Sequence, residues 1–403
     1  MKNEKLAAVP SLLREINERS AVDTLRKSGA LHAAEIARLI GVSKPTTAEI
    51  LRSLVDAGLV RELTPGEDDS KRARAMYEAI SDIKVTVAID IGANFIRVAV
   101  GNLNGESLAE ISEPTSSLTL SGILGQIDSQ VRQALSHAKQ PVKNIASIAV
   151  GTPGVVDQKT GEVAIAGTIG ALDGVNLSVE IKKLFKCSPI VENDINLVTV
   201  AEQMTGFGRD LSNFAVLSVG SGLGSGLVLN GSLHRGHRGA AGEIFYIPFG
   251  DPHDSTRTAT NPSGDRIADL TRQLAPKYKN SILTEPYATH SILDGAKHGD
   301  PLAKAVIELE AERIALYIGA LSAVTDVEVV VLSGGIGRQS SFFLAPIRDL
   351  VNEILPYPPR IEVSQLGDRG ILIGALQLAT TQACDLVFAE RSPSQPIKKR
   401  HIS

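Results

Sequence analysis

Between Ala33 and Leu63, apolar residues recur at helical spacing in two short runs. Ala34, Ala37, Ile40 and Val42 fall on one side of the first run and its turn, and Ile50, Leu51, Leu54 and Val55 on one side of the second. The runs meet at Gly41-Val42-Ser43. Ser43 is a good N-cap, and Pro45 in the first turn loses no helical hydrogen bond. The second run ends at Ala57-Gly58, where glycine suits a left-handed cap. Two helices joined by a glycine-containing turn predict a helix-turn-helix, whose second helix enters the DNA major groove. The pattern leaves Lys44, Thr46, Ala48, Glu49 and Arg52 facing away from the core, with Ser43 at the entry to the second helix. The alternative is a helical hairpin used for packing alone. Against it stands the polar N-terminal end of the second helix, where base edges would be met.

Residues 1–16, with Leu6, Val9, Leu12 and Leu13 apolar, read as a helical extension. Asn17 to Ser28 reads as a first helix with Val22 and Leu25 inward. Beyond the pair, Leu59 to Leu63 predicts a strand, Thr64-Pro65-Gly66 a turn and residues 74–80 a returning strand. That makes residues 17–81 a winged helix-turn-helix domain. Lys71, Arg72 and Arg74 lie near the tip of the wing, where they would hold phosphates or enter a minor groove. A solvated turn is the alternative.

From Lys84 the pattern changes to buried strands broken by glycine turns. VTVAID (85–90) is followed by IGAN, FIRVAVG and an Asn104-Gly105 hairpin signal; FAVLSVG (214–220) is followed by SGLGSG, LVLNG (227–231) and the same Asn-Gly turn. The recurrence predicts two related lobes with mixed sheets over residues 82–388. Leu118–Ala138, a run ending at Met204, Pro301–Val324 and Gly370–Leu386 read as helices. Residues 389–403 read as a flexible basic tail.

Composition adds limits. A chain of 403 residues with 43% hydrophobic content can bury substantial cores. No apolar run approaches ~18 residues and the N-terminus lacks a signal-peptide core, so a soluble cytoplasmic protein without membrane contact is expected. Two cysteines, Cys187 and Cys384, give neither a disulfide framework nor a zinc cluster. Net charge is −4, and residues 1–81 carry 13 Lys/Arg against 12 Asp/Glu, so DNA binding would rest on the placement of charge.

Four stretches could line a cleft between the lobes. Asp90 and Gly92 belong to a turn whose amides could face a phosphate, and Gly220 and Gly222 to a similar turn of the second lobe. Gly334 and Gly335 follow a strand and permit close approach of a ligand, and Asn193-Asp194 end a strand. One glycine-rich turn is weak evidence, since tight turns need glycine for backbone reasons. Four in this order carry more weight.

With LIGVSKPTTAEILRSLVDAGLV, AIDIGANFIRVAV, VGTPGVVD, VENDIN, VGSGLGSGLVLNG, RGAAGEI and VLSGGIG, the chain resembles the ROK family (repressors, open reading frames and sugar kinases) in its regulator form. The resemblance implies an α/β, two-lobed, actin-like sugar-kinase fold joined to the winged helix-turn-helix. It implies that Asp194 stands where the family's kinases have the base that activates a sugar hydroxyl. Gly154, Asn193, Asp194 and Glu243 would then touch the sugar. The departures are specific. The family's GEIGH is Gly242-Glu243-Ile244-Phe245-Tyr246 here, so the sugar- and zinc-binding histidine is replaced. The cysteine-rich zinc segment is absent, and His253 alone cannot supply the roughly four ligands of structural zinc. No zinc and no other cofactor is expected, with ATP and Mg²⁺ relevant only to a retained kinase. The first phosphate turn is GAN instead of GGT, Ser225 replaces a usual glycine, and GTIGALD replaces the asparagine-containing sugar loop.

Three functions remain open at this point. The leading one is a sugar-responsive transcriptional regulator, a repressor, acting on operator DNA as a homodimer or homotetramer. An active ATP-dependent sugar kinase carrying a DNA-binding domain is the second, with Asp194 as base. A ligand-independent DNA-binding protein with degenerate lobes is the third. Asp194 could instead cap its helix, Glu243 could pair with Arg235 or Arg238, and Asp90 could merely organise its hairpin.

Overall fold

The computed structural model describes residues 10–63, 75–220, 222–247, 249, 261–337 and 344–391. Lys71, Arg72 and Arg74, His253 and the terminal residues 392–403 lie outside them.

The N-terminal head comprises α1 (Pro10–Ser28), β1 (Leu31–His32), α2 (Ala33–Ile40), α3 (Lys44–Asp56), β2 (Val60–Leu63) and β3 (Met76–Ala79). α1 is one uninterrupted helix, so residues 10–16 are not a separate extension as the sequence pattern divided them. Ala21, Val22 and Leu25 of α1 pack against Ile36, Ile50, Leu51 and Leu54. In α2 the inward residues are Ile36 and Ala37, and Ala34, expected inside, is exposed. The helix turns one notch further than the short pattern indicated. The strands form a small sheet in the order β1-β3-β2, with Val60 opposite Ala79 and Leu63 opposite Met76. That is the winged arrangement. Buried Glu18 pins α1 to α3: its carboxylate accepts from Ser53 Oγ at 2.9 Å and from Arg14 Nε at 3.0 Å.

The first lobe contains β4 (Val85–Ile91), β5 (Phe95–Gly101), β6 (Ser107–Pro114), α4 (Leu120–His137), β7 (Ile145–Thr152), β8 (Val155–Val156), β9 (Val163–Ala164), α5 (Leu177–Phe185), β10 (Ile190–Asn193) and α6 (Asp194–Thr205). The second contains β11 (Phe214–Val219), β12 (Leu223–Leu229), β13 (Ser232–Leu233), α7 (Gly264–Leu274), α8 (Thr289–Lys297), α9 (Pro301–Thr325), β14 (Val329–Ser333), α10 (Gly334–Gly337), α11 (Leu344–Ile354), β15 (Arg360–Val363) and α12 (Gly370–Arg391). The sheet orders are β6-β5-β4-β7-β10 and β13-β12-β11-β14-β15. In each sheet three antiparallel strands are extended by two parallel ones. The two lobes share one topology, as their repeated pattern predicted. One reading needs trimming: Leu223 to Gly226, expected within a glycine turn, already belong to β12.

α12 crosses the middle of the molecule. Ala88, Ala99 and Ala149 give the first sheet a shallow face, and Leu372, Ala375, Leu376 and Ala379 of α12 sit on it. At Gly374 the helix touches α6 so closely that a Cβ would lie 1.9 Å from the Leu197 carbonyl oxygen. The last turns of α12 leave the lobe and enter the head, where Ala383, Val387 and Phe388 join the core of α1, α3 and β2. The helix continues to Arg391, so residues 389–391, assigned to the tail, are helical. Among the described residues α12 is also the one helix long and apolar enough, by length and average composition, to cross a membrane, although Gln377, Thr380, Thr381, Gln382 and Asp385 interrupt its apolar run. Its contacts with β4, β7 and α6 make it the central core helix of this fold.

Candidate functional site

Two surfaces carry the sequence-predicted residues. The first is the outer face of α3. Ser43 caps the helix, its Oγ accepting from Thr46 N at 3.3 Å and sharing a 2.8 Å hydrogen bond with Thr46 Oγ1. Thr47 turns inward and donates to the Ser43 carbonyl at 3.0 Å. Ser43, Lys44, Thr46, Ala48, Glu49 and Arg52 are all exposed, so no part of the chain described covers this face. Arg14 and Arg391 flank Glu49 and Arg52 in a shallow depression beside the helix.

The second is a cleft of about 600 Å³ between the lobes, a size suited to a small-molecule ligand. Its floor is the β10–α6 junction. Asn193 is the N-cap of α6: its Oδ1 accepts from Ile195 N at 2.9 Å and Asn196 N at 3.2 Å, and its Nδ2 donates to the Gly154 carbonyl at 2.9 Å. Capping therefore falls mainly to Asn193. Asp194 contributes one oxygen, accepting from Ile195 N at 2.8 Å, and its carboxyl lines the cleft. Burial, reinforced by the charge of Asp90, raises its pKa to about 7; the Ile195 amide opposes the shift.

Glu243 enters from the segment after β13. Ser225, the replaced glycine, has a role here: both its N–H and its Oγ donate to the Gly242 carbonyl, at 3.0 and 3.1 Å. Glu243 does not pair with Arg235, whose Nε instead meets Glu192 Oε2 of the first lobe at 2.5 Å. Burial raises the Glu243 pKa.

The glycine turns converge from the second lobe. Gly220, Gly222, Gly334 and Gly335 all line the cleft. Gly334 has φ +82°, and a Cβ there would lie 2.4 Å from the Val219 carbonyl oxygen. Only glycine lets the β14 turn approach the β11 turn this closely.

Two predicted residues do not reach the cavity wall. Gly92 folds back on its own hairpin, donating to the Phe95 carbonyl at 3.0 Å and accepting from Thr115 Oγ1 at 2.7 Å. Asp90 is 2% exposed and lies behind Arg97, whose Nη1 donates to its Oδ2 at 3.0 Å. Burial lifts the Asp90 pKa to about 6 even though Arg97 pulls it down. Arg97 itself lines the cleft and was absent from the sequence reading. A charged residue inside the apolar strand Phe95–Gly101 was the available signal. Phe245, Tyr246, Asn261 and Asp368 also line the cavity without a motif to mark them. Among the described residues no group of three or more His, Cys, Asp or Glu side chains is arranged to hold a metal ion.

Comparison with known proteins matches this architecture throughout. The ROK family model covers residues 86–382, and an IclR helix-turn-helix domain model covers 23–63. The chain is 24% identical over 389 residues to the xylose repressor of Caldicellulosiruptor bescii, an alignment spanning 91% of this chain and 96% of that one. It is 22% identical to the DNA-binding transcriptional dual regulator NagC of Escherichia coli, across 85% and 86% of the two chains. The glucokinase of Halalkalibacterium halodurans is 27% identical and aligns with 65% of this chain and 83% of its own. Among solved structures, a ROK family transcriptional regulator homologous to E. coli MLC superposes with a TM-score of 0.78 at 22% identity, covering 94% of this chain and 99% of that one. A Streptomyces griseus ROK glucokinase in complex with glucose and AMPPNP gives 0.64 at 23% identity, over 74% and 99%. By its two lobes, which account for most of its length and follow an IclR-type helix-turn-helix, this chain belongs to the ROK family.

Proposed function

We propose that the protein is a sugar-responsive DNA-binding repressor. One observation carries the reading: a single helix, α12, lines the inter-lobe cleft at Gly370 and Ile371 and contributes Val387 and Phe388 to the core of the head. A ligand that shifts the lobes therefore acts on the DNA-reading surface through one rigid element. The relatives named a xylose repressor and a DNA-binding transcriptional dual regulator support the same assignment. Gly154, Asn193, Asp194 and Glu243 hold the sugar, their carbonyl, amide and carboxylate groups matching vicinal hydroxyls. Ser43, Lys44 and Thr46 meet phosphates and bases, Glu49 accepts from a cytosine amino group and Arg52 reaches a phosphate. Lys71, Arg72 and Arg74, which the sequence pattern puts between the two wing strands, add phosphate contacts. Two copies of the chain place their α3 helices in successive major grooves ~34 Å apart. Weakening operator binding a hundredfold requires the sugar to prefer the non-binding arrangement by ~2.7 kcal/mol, within reach of a few hydrogen bonds.

The test is a gel shift with DNA upstream of the gene, repeated with a panel of pentoses, hexoses and amino sugars. One sugar should release the DNA, and Lys44→Ala should weaken binding and flatten its salt dependence. Release by none of the sugars, together with unchanged binding by Lys44→Ala, sinks the proposal.

A second reading, sugar phosphorylation, draws on Asp194, whose raised pKa suits a general base near neutrality. A coupled assay with the same sugars and Mg²⁺-ATP decides it: turnover abolished by Asp194→Asn would establish a kinase.

A further inference from the structure

Phosphoryl transfer from ATP needs a divalent cation held by protein carboxylates beside the phosphates. In this cleft the carboxylates are Asp194, Glu243 and Asp368 on the wall and Asp90 immediately behind. Asp90 and Arg97 stand directly opposite each other in the β4–β5 ladder. The Arg97 guanidinium donates to Asp90 at 3.0 Å and lies 5.1 Å from the centre of the Phe95 ring. It is thus held from two sides. Its side chain is 23% exposed, and Arg97 is the only basic residue among the described residues lining the cleft. Mg²⁺ demands near-octahedral oxygen ligands at about 2.0–2.1 Å. A fixed guanidinium on the same carboxylate both occupies a lone pair and repels a doubly charged ion. At Asp90 the residues present therefore do not fit a metal–nucleotide.

We propose that Arg97 is a resident cation at the position a divalent metal would need, so that the cleft binds its ligand without metal and Arg97 donates to that ligand directly. The guanidinium has five N–H donors in a rigid fork, and the bond to Asp90 uses one of them. The others are positioned for ligand hydroxyl or anionic oxygens. This rests on the repressor reading only in taking the cleft to be a ligand site. The metal half of the proposal holds or fails whether or not a sugar or operator is ever found.

The test uses Mn²⁺ alone as probe, titrated into the full chain and followed by the loss of the free-ion EPR signal. Wild-type protein should show no saturable binding up to about 1 mM. Arg97→Gln should bind one Mn²⁺ per chain at least about tenfold more tightly, and adding Asp90→Asn to that variant should abolish the gain. Circular dichroism and melting curves establish that each variant is folded, and Arg97→Ser is made alongside. Two results overturn the proposal: wild-type protein binding one Mn²⁺ that Asp90→Asn removes, or a folded Arg97→Gln that gains no Mn²⁺. Should neither Arg97 variant fold, the wild-type titration decides alone, saturable binding refuting the exclusion and its absence supporting it. The ligand half is read with the releasing sugar found by gel shift. Arg97→Gln should raise its dissociation constant about tenfold with EDTA present, and an unchanged constant removes Arg97 from the ligand contacts.

Discussion

Asp194 shows how a side chain of the cleft contributes to the pH response of the whole molecule. Its carboxyl ionises near 3.8 ordinarily and at about 7 when folded, because burial and the Asp90 charge penalise the anion. Between those values the folded protein holds a proton that the unfolded chain has released. The resulting stabilisation is complete in acid and lost as pH rises through neutrality. Screening at a cleft wall and coupling to Asp90 reduce it to about 1–2 kcal/mol. Urea unfolding at pH 5, 6, 7 and 8 should therefore show stability falling with pH, and Asp194→Asn should reduce that slope without abolishing it. The shares due to Asp90, raised to about 6, and to Glu310, which burial raises to about 7, persist in the variant. A wild-type protein equally stable at pH 5 and pH 8 would contradict this account. The same residues show what a sequence can reveal about a site. Asn193, Asp194 and the four second-lobe glycines were legible because strand ends and tight turns leave local signatures, and Glu243 only through the family resemblance of its Gly-Glu-Ile segment. Arg97 was not, since its meaning depends on Asp90 across a hairpin and on which face of β5 looks into the cleft. The role of Ser225 needed knowledge that the Gly242 segment returns to β12, a contact with no local trace.

At the level of elements, α12 does two jobs with two halves. Its first half lies on the alanine face of the first sheet and crosses α6 at Gly374. Its second half supplies Val387 and Phe388 to the head, while Asp385 pairs with Arg19 and Arg391 Nη1 donates to the Gly58 carbonyl at 3.1 Å. Phe388 is 2% exposed, and truncating such a side chain costs about 3–5 kcal/mol. Phe388→Ala should lower the melting of the head below that of the lobes, giving two calorimetric transitions, and should weaken operator binding. Phe388→Leu, which keeps most of the volume, should cost less than about 1.5 kcal/mol. A single unshifted transition in Phe388→Ala would show that the helix end is dispensable. Gly374→Ala tests the other half, because its Cβ meets backbone, which cannot move aside as a side chain can. The variant should be destabilised by about 1–3 kcal/mol, and a melting temperature equal to wild type would disprove the tight crossing. The apolar periodicity located α12 but stopped it at Leu386. Its last turns are apolar toward the head, and their partner is almost the whole chain length away.

For the molecule as a whole, cleft and head form one thermodynamic system if α12 couples them. The lobes are joined through α6 and α12, and Arg235 of the second lobe is clasped to Glu192 of the first. Ligand binding that changes the lobe arrangement must pull on these contacts and, through α12, on the head. Coupling of this kind is reciprocal: if a sugar lowers operator affinity by some factor, operator DNA lowers sugar affinity by that same factor. For a hundredfold effect the free energy is ~2.7 kcal/mol in both directions. Calorimetric titration of the releasing sugar into protein alone, and into protein saturated with operator, should give dissociation constants differing by the factor seen in the gel shift. A sugar that releases DNA in the gel yet binds equally tightly with and without operator would mean that release does not run through this chain's own equilibrium. Phe388→Ala sharpens the measurement. With the head detached from α12, sugar affinity in the variant should no longer respond to operator, while the cleft, far from the substitution, should bind the sugar as the native protein does.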